Sequence, residues 1–274
     1  MLLTLPLDML PVEEETMANT YLLAITCYNC APQITRVLDR ITPKIVSKVE
    51  EVMIINNRST DDLEDIVKNY LDSHPEPKIH LYRNAQNYSL GGSQKIAFLH
   101  GEEISATHVI ILHGDDQADP QDILPMIELI EQQGATTVLG SRFNEESTLV
   151  GYDKKRIFGN RVLNSIYSIV TRTHVEDLGS GLNIFALSDL EQTRYVNFAD
   201  KLTFNFEALL DLIDRNIEFT YYPMIWREED QVTNARNFNV ACIAFKNLMS
   251  WKFKRAQFFG GEHVATDYLT RKLF

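Results

Sequence analysis

The chain has 274 residues, 45% of them hydrophobic, and a formal charge of −12, so it can bury a large α/β core and is too apolar to be disordered. The acidic balance argues against a nucleic-acid partner, whose phosphates are held by Lys and Arg, and means that any anionic ligand is held locally. Cys27, Cys30 and Cys242 form no framework of paired bridges, which fits a reducing compartment, and no apolar run reaches the roughly 18 residues of a membrane span.

The N-terminal LLTLPLDMLPVEEE starts apolar but lacks a basic region and soon meets acids and prolines, which is not a signal-peptide pattern; residues 1–20 read as an extension. Residues 21–26 (YLLAIT) predict a buried strand, and 31–41 a helix with Ile34, Val37, Leu38 and Ile41 on one face. A second strand at 51–55 (EVMII) closes in NNRSTDD, where Ser59, Thr60 and Asp61 are good N-caps for a helix through Ile66, Val67 and Tyr70. Residues 78–83 predict a third strand, followed by NYSLGG, a turn by its glycines, and a helix at 93–104.

The stretch 108–120, HVIILHGDDQADP, then runs four apolar β-formers into a turn carrying two adjacent carboxylates, an amide and a third carboxylate. A buried strand ending in acids is how an open α/β sheet presents groups to a ligand, and hard oxygens there suit a divalent cation with a phosphate attached. A helix at 122–132 and a strand at 136–139 follow. Strand and helix alternating about every 25 residues predict a mostly parallel, doubly wound sheet with helices on both faces, spanning residues 21–230.

Further on, 156–171 predicts an amphipathic helix, 183–186 a strand, 204–215 a helix and 218–222 a strand. Residues 231–261 hold five basic residues, Arg236, Lys246, Lys252, Lys254 and Arg255, and no acid. Interleaved with aromatics such as Phe245, Trp251 and Phe253, they predict a C-terminal helical extension, 231–274, that meets either an anionic membrane surface or another copy in a homo-oligomer.

This order of motifs resembles glycosyltransferase family 2, the inverting GT-A transferases. Within that family it is most similar to the dolichyl- and polyprenyl-phosphate sugar synthases, over roughly residues 22–233. The family's first strand ends in a Pro, Tyr, Asn and Glu motif that packs on the nucleotide base; TCYNC keeps Tyr28 and Asn29. The second strand usually ends in paired Asp before Gly-Ser-Thr-Asp. NNRSTD keeps Asp61 and offers Asn56 and Asn57, amides that donate and accept and leave the base open. NYSLGG is similar to the family's glycine-rich turn, where Gly92 lets backbone approach the nucleotide.

The family's metal motif, two Asp one residue apart and then Gln, falls on His113, Asp115 and Gln117, with Asp116 and Asp119 extra. The resemblance implies Mg²⁺ or Mn²⁺ on Asp115 and Gln117, bridging the donor's diphosphate, with Asp116 beside the donor. His113 as a nitrogen ligand shifts the preference toward Mn²⁺ or Zn²⁺. GSRF at 140–143 matches a family motif, and its Arg142 would meet an acceptor phosphate or the donor diphosphate through a planar fork. Arg156, Asn164, Asp177 with Ser180 and Gly181, Glu207, and Arg227 with Thr233 resemble the acceptor side.

Blander roles compete. Asp119 reads as an N-cap ahead of Pro120, His113 as a neutral hydrogen-bonding residue, and CYNC lacks the second cysteine pair of a zinc site. The implied activity is inverting, metal-dependent transfer from a nucleotide-diphosphate sugar. A lipid phosphate acceptor is already ionised at pH 7, whereas a glycan hydroxyl must give its proton to a carboxylate such as Asp177 or Glu207. The cations of GSRF and Arg156 favour the lipid phosphate. Transfer to a saccharide or lipid-linked oligosaccharide in cell-surface glycan synthesis, and a silent nucleotide-sugar binding module, are the alternatives. The expected location is the cytoplasm, at the inner face of the membrane.

Overall fold

The computed structural model describes residues 18–230, 237–259 and 267–274. Strand β1 (Tyr21–Cys27), buried at every position, leads into helices α1 (Ala31–Asp39) and α2 (Pro43–Lys48). Then come β2 (Glu51–Asn56), α3 (Leu63–Ser73), β3 (Ile79–Asn84), α4 (Ser89–Glu103) and β4 (His108–His113). A 3₁₀ turn at Pro120–Asp122 opens α5 (Ile123–Gln133), followed by β5 (Thr137–Ser141), β6 (Thr148–Val150), α6 (Lys154–Thr171) and β7 (Leu182–Ala186). The rest comprises α7 (Gln192–Tyr195), α8 (Phe204–Asp214), β8 (Phe219–Pro223), β9 (Ile225–Arg227), α9 (Asn237–Phe253), α10 (Arg255–Phe259) and β10 (Thr270–Lys272).

Eight strands form one sheet in the order β10-β3-β2-β1-β4-β7-β5-β8. All but β7 and β10 run the same way, which is the mostly parallel sheet the strand–helix alternation predicts. Its faces follow from the two-residue period of a strand. Leu23, Ile25, Ile54 and Ile110 pack toward Ile34, Leu63 and Ile127, whereas Leu22, Ala24, Ile55 and Val109 pack toward Ile96, Phe98 and Leu210.

The chain passes from β1 outward to β2 and β3, then returns to place β4 on β1's other side. The sheet therefore has a switch point at the carboxyl ends of β1 and β4, where Thr26 lies opposite His113. Such a point leaves a crevice, because the connections on its two sides diverge. Strand β10 was not foreseen in the sequence; it closes the far edge by pairing with β3, and Tyr268 anchors it. Fully buried Lys95 on α4 donates to Asp200 Oδ1 at 2.6 Å and to Tyr268 Oη at 2.8 Å, while Tyr268 itself donates to Asp200 at 2.5 Å.

NYSLGG is not the predicted turn: α4 starts at Ser89, and both glycines lie in its first helical turn. They serve close packing. A Cβ on Gly91 would sit 2.5 Å from the Ala199 carbonyl oxygen and 2.6 Å from Phe204 Cβ. Alanine gains about 1 kcal/mol of helix propensity at such a site, but the clash with backbone costs about 1–3 kcal/mol. Gly91→Ala is therefore expected to lower the melting temperature, by a few degrees at most, in a calorimetric scan. No helix among the described residues is long and apolar enough to cross a membrane.

Candidate active site

Strand β4 delivers His113 to the crevice, and the turn after it is held from three sides. Asp116 adopts a left-handed backbone (φ 61°), which turns its carboxylate away from that of Asp115 and onto α1. There it accepts from Arg36 Nε at 2.6 Å and Arg40 Nη1 at 2.7 Å. Asp119 caps the 3₁₀ turn by accepting from the Gln121 amide at 3.0 Å, and it also accepts from Arg227 Nη2 at 2.7 Å. Burial pushes the Asp119 carboxyl up, but those two donors more than offset it and hold it below the usual carboxylate range. Asp122, raised to about 6 by burial, accepts from the Ile225 amide at 3.0 Å and fixes β9 beside the turn.

What remains directed at the crevice is small. Asp115 is partly buried, which raises its carboxyl, and among the described residues its Oδ1 accepts from the Gln117 amide at 3.3 Å while no side chain donates to it. Burial keeps the His113 imidazole neutral, and its Nε2 is buried without a hydrogen-bond partner among the described residues. An imidazole nitrogen and a carboxylate oxygen side by side, neither with a hydrogen-bond partner among the described residues, have the chemistry of a divalent-metal half-site. No three His, Cys, Asp or Glu side chains among the described residues converge as a closed cage. A cation here therefore needs ligands from a diphosphate and water, as Mg²⁺-type sites do. Beneath the turn, a Cβ on Gly114 would lie 2.5 Å from Cys27 Sγ and 3.2 Å from Cys30 Sγ, so both free thiols fill the floor.

The wall opposite comes from β5, the 177–181 loop and β9. Arg142 donates through Nε and Nη2 to the two oxygens of Asp177, each at 2.7 Å, and Nη2 also reaches the Gly179 carbonyl at 2.8 Å. Its guanidinium lies 5.0 Å from the Trp226 ring centre, and the Trp226 ring in turn packs on Gly181 beside His113. Gln117 approaches Glu228 Oε1 at 3.5 Å, and Glu228 accepts from Arg156 Nη1 at 2.5 Å. Arg227 Nη1 and Trp226 Nε1 are buried donors without partners among the described residues. Thus His113, Asp115, Gln117, Arg142, Asp177, Arg156 and Arg227 are joined into one wall by direct contacts or shared neighbours. Ser180 is held within it, donating to the Leu182 carbonyl at 2.9 Å.

The other predicted residues are distributed differently. Tyr28 stands 43% exposed at the crevice rim. Asn29 spends its carbonyl oxygen on the Thr60 amide at 2.8 Å, and Asp61 Oδ2 accepts from the Ala31 amide at 2.9 Å, while Asp61 Oδ1 stays buried and unpartnered among the described residues. Asn57 makes four bonds: it donates to Asn87 Oδ1 and the Ser89 carbonyl, and it accepts from Asn84 Nδ2 and the Tyr88 amide. Its amide is saturated and has nothing left for a base edge. Gly92 faces Tyr88 and Tyr268, not open crevice. Glu207, raised by burial, accepts from the Ala199 amide at 2.7 Å and Asn247 at 3.0 Å and braces α8 against α9. Asn164 donates to the Glu176 carbonyl, and Thr233 lies outside the described residues. Sequence reading did not single out Trp226 or Glu228, because their partners Arg142 and Arg156 are over 70 positions away in the chain.

A switch-point crevice lined by an acidic turn and a row of arginines defines a nucleotide-dependent transferase of the GT-A type. The chain belongs to glycosyl transferase family 2, whose model matches residues 23–192. It is similar in fold to glucosyl-3-phosphoglycerate synthase from Mycobacterium tuberculosis. In the phosphoglyceric acid complex of that protein the TM-score is 0.61 at 15% identity, over 90% of this chain and 82% of that one. Its complex with Mn²⁺, uridine-diphosphate and glucosyl-3-phosphoglycerate gives a TM-score of 0.61 at 14% identity, over 92% and 86%.

Proposed function

We propose that this family 2 transferase moves a sugar from a nucleotide-diphosphate donor to a phosphate-bearing acceptor, with a polyprenyl phosphate as the acceptor best supported. Asp115, with His113 and Gln117, would hold a Mn²⁺ or Mg²⁺ ion. Bound there, the cation would offset the charge of the departing nucleoside diphosphate. Tyr28 and Asp61 Oδ1, which has no partner among the described residues, serve the nucleoside side, and Arg156 and Arg227 supply positive charge on the acceptor side. Asp116 and Asn57 are assigned to scaffolding, since their polar groups are already engaged, and Asn29 has committed its carbonyl oxygen to Thr60.

One observation carries the choice of acceptor. A hydroxyl acceptor needs a base, yet both oxygens of Asp177 are taken by Arg142 and both of Glu207 by Ala199 and Asn247. A phosphate monoester brings its own ionised oxygen, and Arg227 Nη1, without a partner among the described residues, suits it. This reading implies work at a cytoplasmic membrane face in cell-surface glycan assembly, with the acid-free segment 231–261 on the membrane side of the domain formed by residues 21–230. The similar fold solved with phosphoglyceric acid supports a second reading, a small soluble acid as acceptor.

The test is nucleoside diphosphate release from a panel of nucleotide sugars with Mn²⁺ or Mg²⁺, against short-chain polyprenyl phosphate, phosphoglycerate and oligosaccharide. Metal-dependent release with polyprenyl phosphate, abolished by EDTA, is the expected result. Release with phosphoglycerate alone would replace the lipid reading, and donor binding without release under any condition would leave a silent binding module.

A further inference from the structure

Two neighbouring helices expose large apolar side chains that nothing in the described chain covers. On α6, Phe158, Val162 and Ile169 are 72%, 43% and 78% exposed. Their spacing of four and seven puts them on one face, roughly opposite Tyr167, which is buried and donates to the Ala244 carbonyl of α9 at 2.7 Å. On α9, Ile243, Phe245 and Phe253 are 45%, 47% and 77% exposed. Lys252 joins the two helices again, donating to the Val170 carbonyl of α6 at 3.4 Å.

The charges carried by these two helices themselves have one sign, with Asp153 at the start of α6 and Asp214 beside Trp251 and Arg255 as neighbouring acids. Residues 154–175 contain no acid, although the whole chain carries −12. Lys154, Lys155, Arg161 and Arg172 are exposed there and form no ion pair among the described residues. Across α9 and α10 there is again no acid, and Lys246, Lys252 and Lys254 are exposed and unpaired by any described carboxylate. Exposed aromatic and branched side chains set among unpaired cations match the depth profile of a bilayer interface, apolar groups below and phosphates at headgroup level. A second copy is a poor occupant. A two-fold contact brings a patch against itself, and here it would face cations with cations.

We infer that the outer faces of α6 and α9 dock this protein on an anionic lipid bilayer. The surface deepens the lipid-acceptor reading and rests on it for its purpose, but docking is measured without any acceptor. It also assigns α6 a role that the basic segment 231–261 alone does not.

The experiment is flotation of the full chain with vesicles of phosphatidylcholine, with and without phosphatidylglycerol, beside size-exclusion light scattering. Wild type is expected to float with the anionic vesicles only, and to be released as salt rises. Phe158→Ser with Ile169→Ser, and separately Phe245→Ser with Phe253→Ser, are each expected to weaken flotation by about tenfold at unchanged melting temperature. Wild type that ignores anionic vesicles overturns the inference, as does a dimer that the same substitutions disperse without any vesicle binding. Turnover with short-chain, water-soluble polyprenyl phosphate separates the two ideas. Variants that lose flotation but keep this turnover support the surface, whereas flotation without any such turnover leaves the surface standing and removes the lipid acceptor.

Discussion

Asp115→Asn is expected to lower kcat by a hundredfold to a thousandfold, about 3–4 kcal/mol of transition-state stabilisation, while the protein stays folded. The side chain keeps its shape and loses only its charge. Burial already raises the Asp115 carboxyl, so the folded state bears a desolvation cost for that charge, and the amide relieves it. The melting temperature should therefore hold or rise as activity falls, which is how a residue kept for chemistry behaves. Asp116→Asn provides the opposite case one position away. Its carboxylate is the shared partner of Arg36 and Arg40, both about one-third exposed, so solvent screening limits the loss to about 1 kcal/mol of stability. Turnover should change little. Titrating Mn²⁺ into both variants while following nucleoside diphosphate release and melting temperature checks the pair. Full metal-dependent turnover in Asp115→Asn would remove the assignment.

The contrast between these adjacent carboxylates shows where a sequence stops being informative. That β4 is buried and ends in a polar turn is local information, written in four consecutive apolar residues, and the strand lies within a residue of where that run places it. Which carboxylate faces the crevice depends on a single left-handed residue at 116 and on two arginines 76 and 80 positions upstream. The paired asparagines after β2 mislead for the same reason. Their amides look available until the 84–89 loop folds over Asn57 and consumes all four of its hydrogen bonds.

Glycine misleads in another way. Gly91 and Gly92 carry the composition of a turn, yet they sit in a helix, where Gly91 packs against Ala199 and Phe204, the first of them 108 positions away, and Gly92 against Tyr88 and Tyr268. Strand direction is equally non-local: the run Leu182–Ala186 is recognisably a strand, but only its pairing with β4 and β5 makes it antiparallel. Strand β10 is three residues long and pairs on one side only, too little pattern to stand out from its surroundings.

Arg142→Ala is expected to cost about 3–5 kcal/mol of stability, because it leaves Asp177 buried without its partner. Asp177 is 1% and Arg142 13% exposed, so solvent screens this pair little. Arg142→Lys separates geometry from charge. Lysine keeps the positive charge but cannot donate from two nitrogens to both oxygens of Asp177 while reaching the Gly179 carbonyl and lying flat on Trp226. It should recover part of the stability and little of the activity, since the 177–181 loop backs onto both Trp226 and His113. If Arg142 only braces that loop, the loss falls on kcat, through a displaced metal half-site, and the acceptor KM is unchanged. If it also meets the acceptor phosphate, the acceptor KM rises in Arg142→Lys but not in Asp177→Asn, where the guanidinium is freed and its charge kept. Urea unfolding and steady-state kinetics on these variants decide between bracing and contact. Equal stability of Arg142→Ala and wild type would show that the bidentate pair is not what holds the wall together.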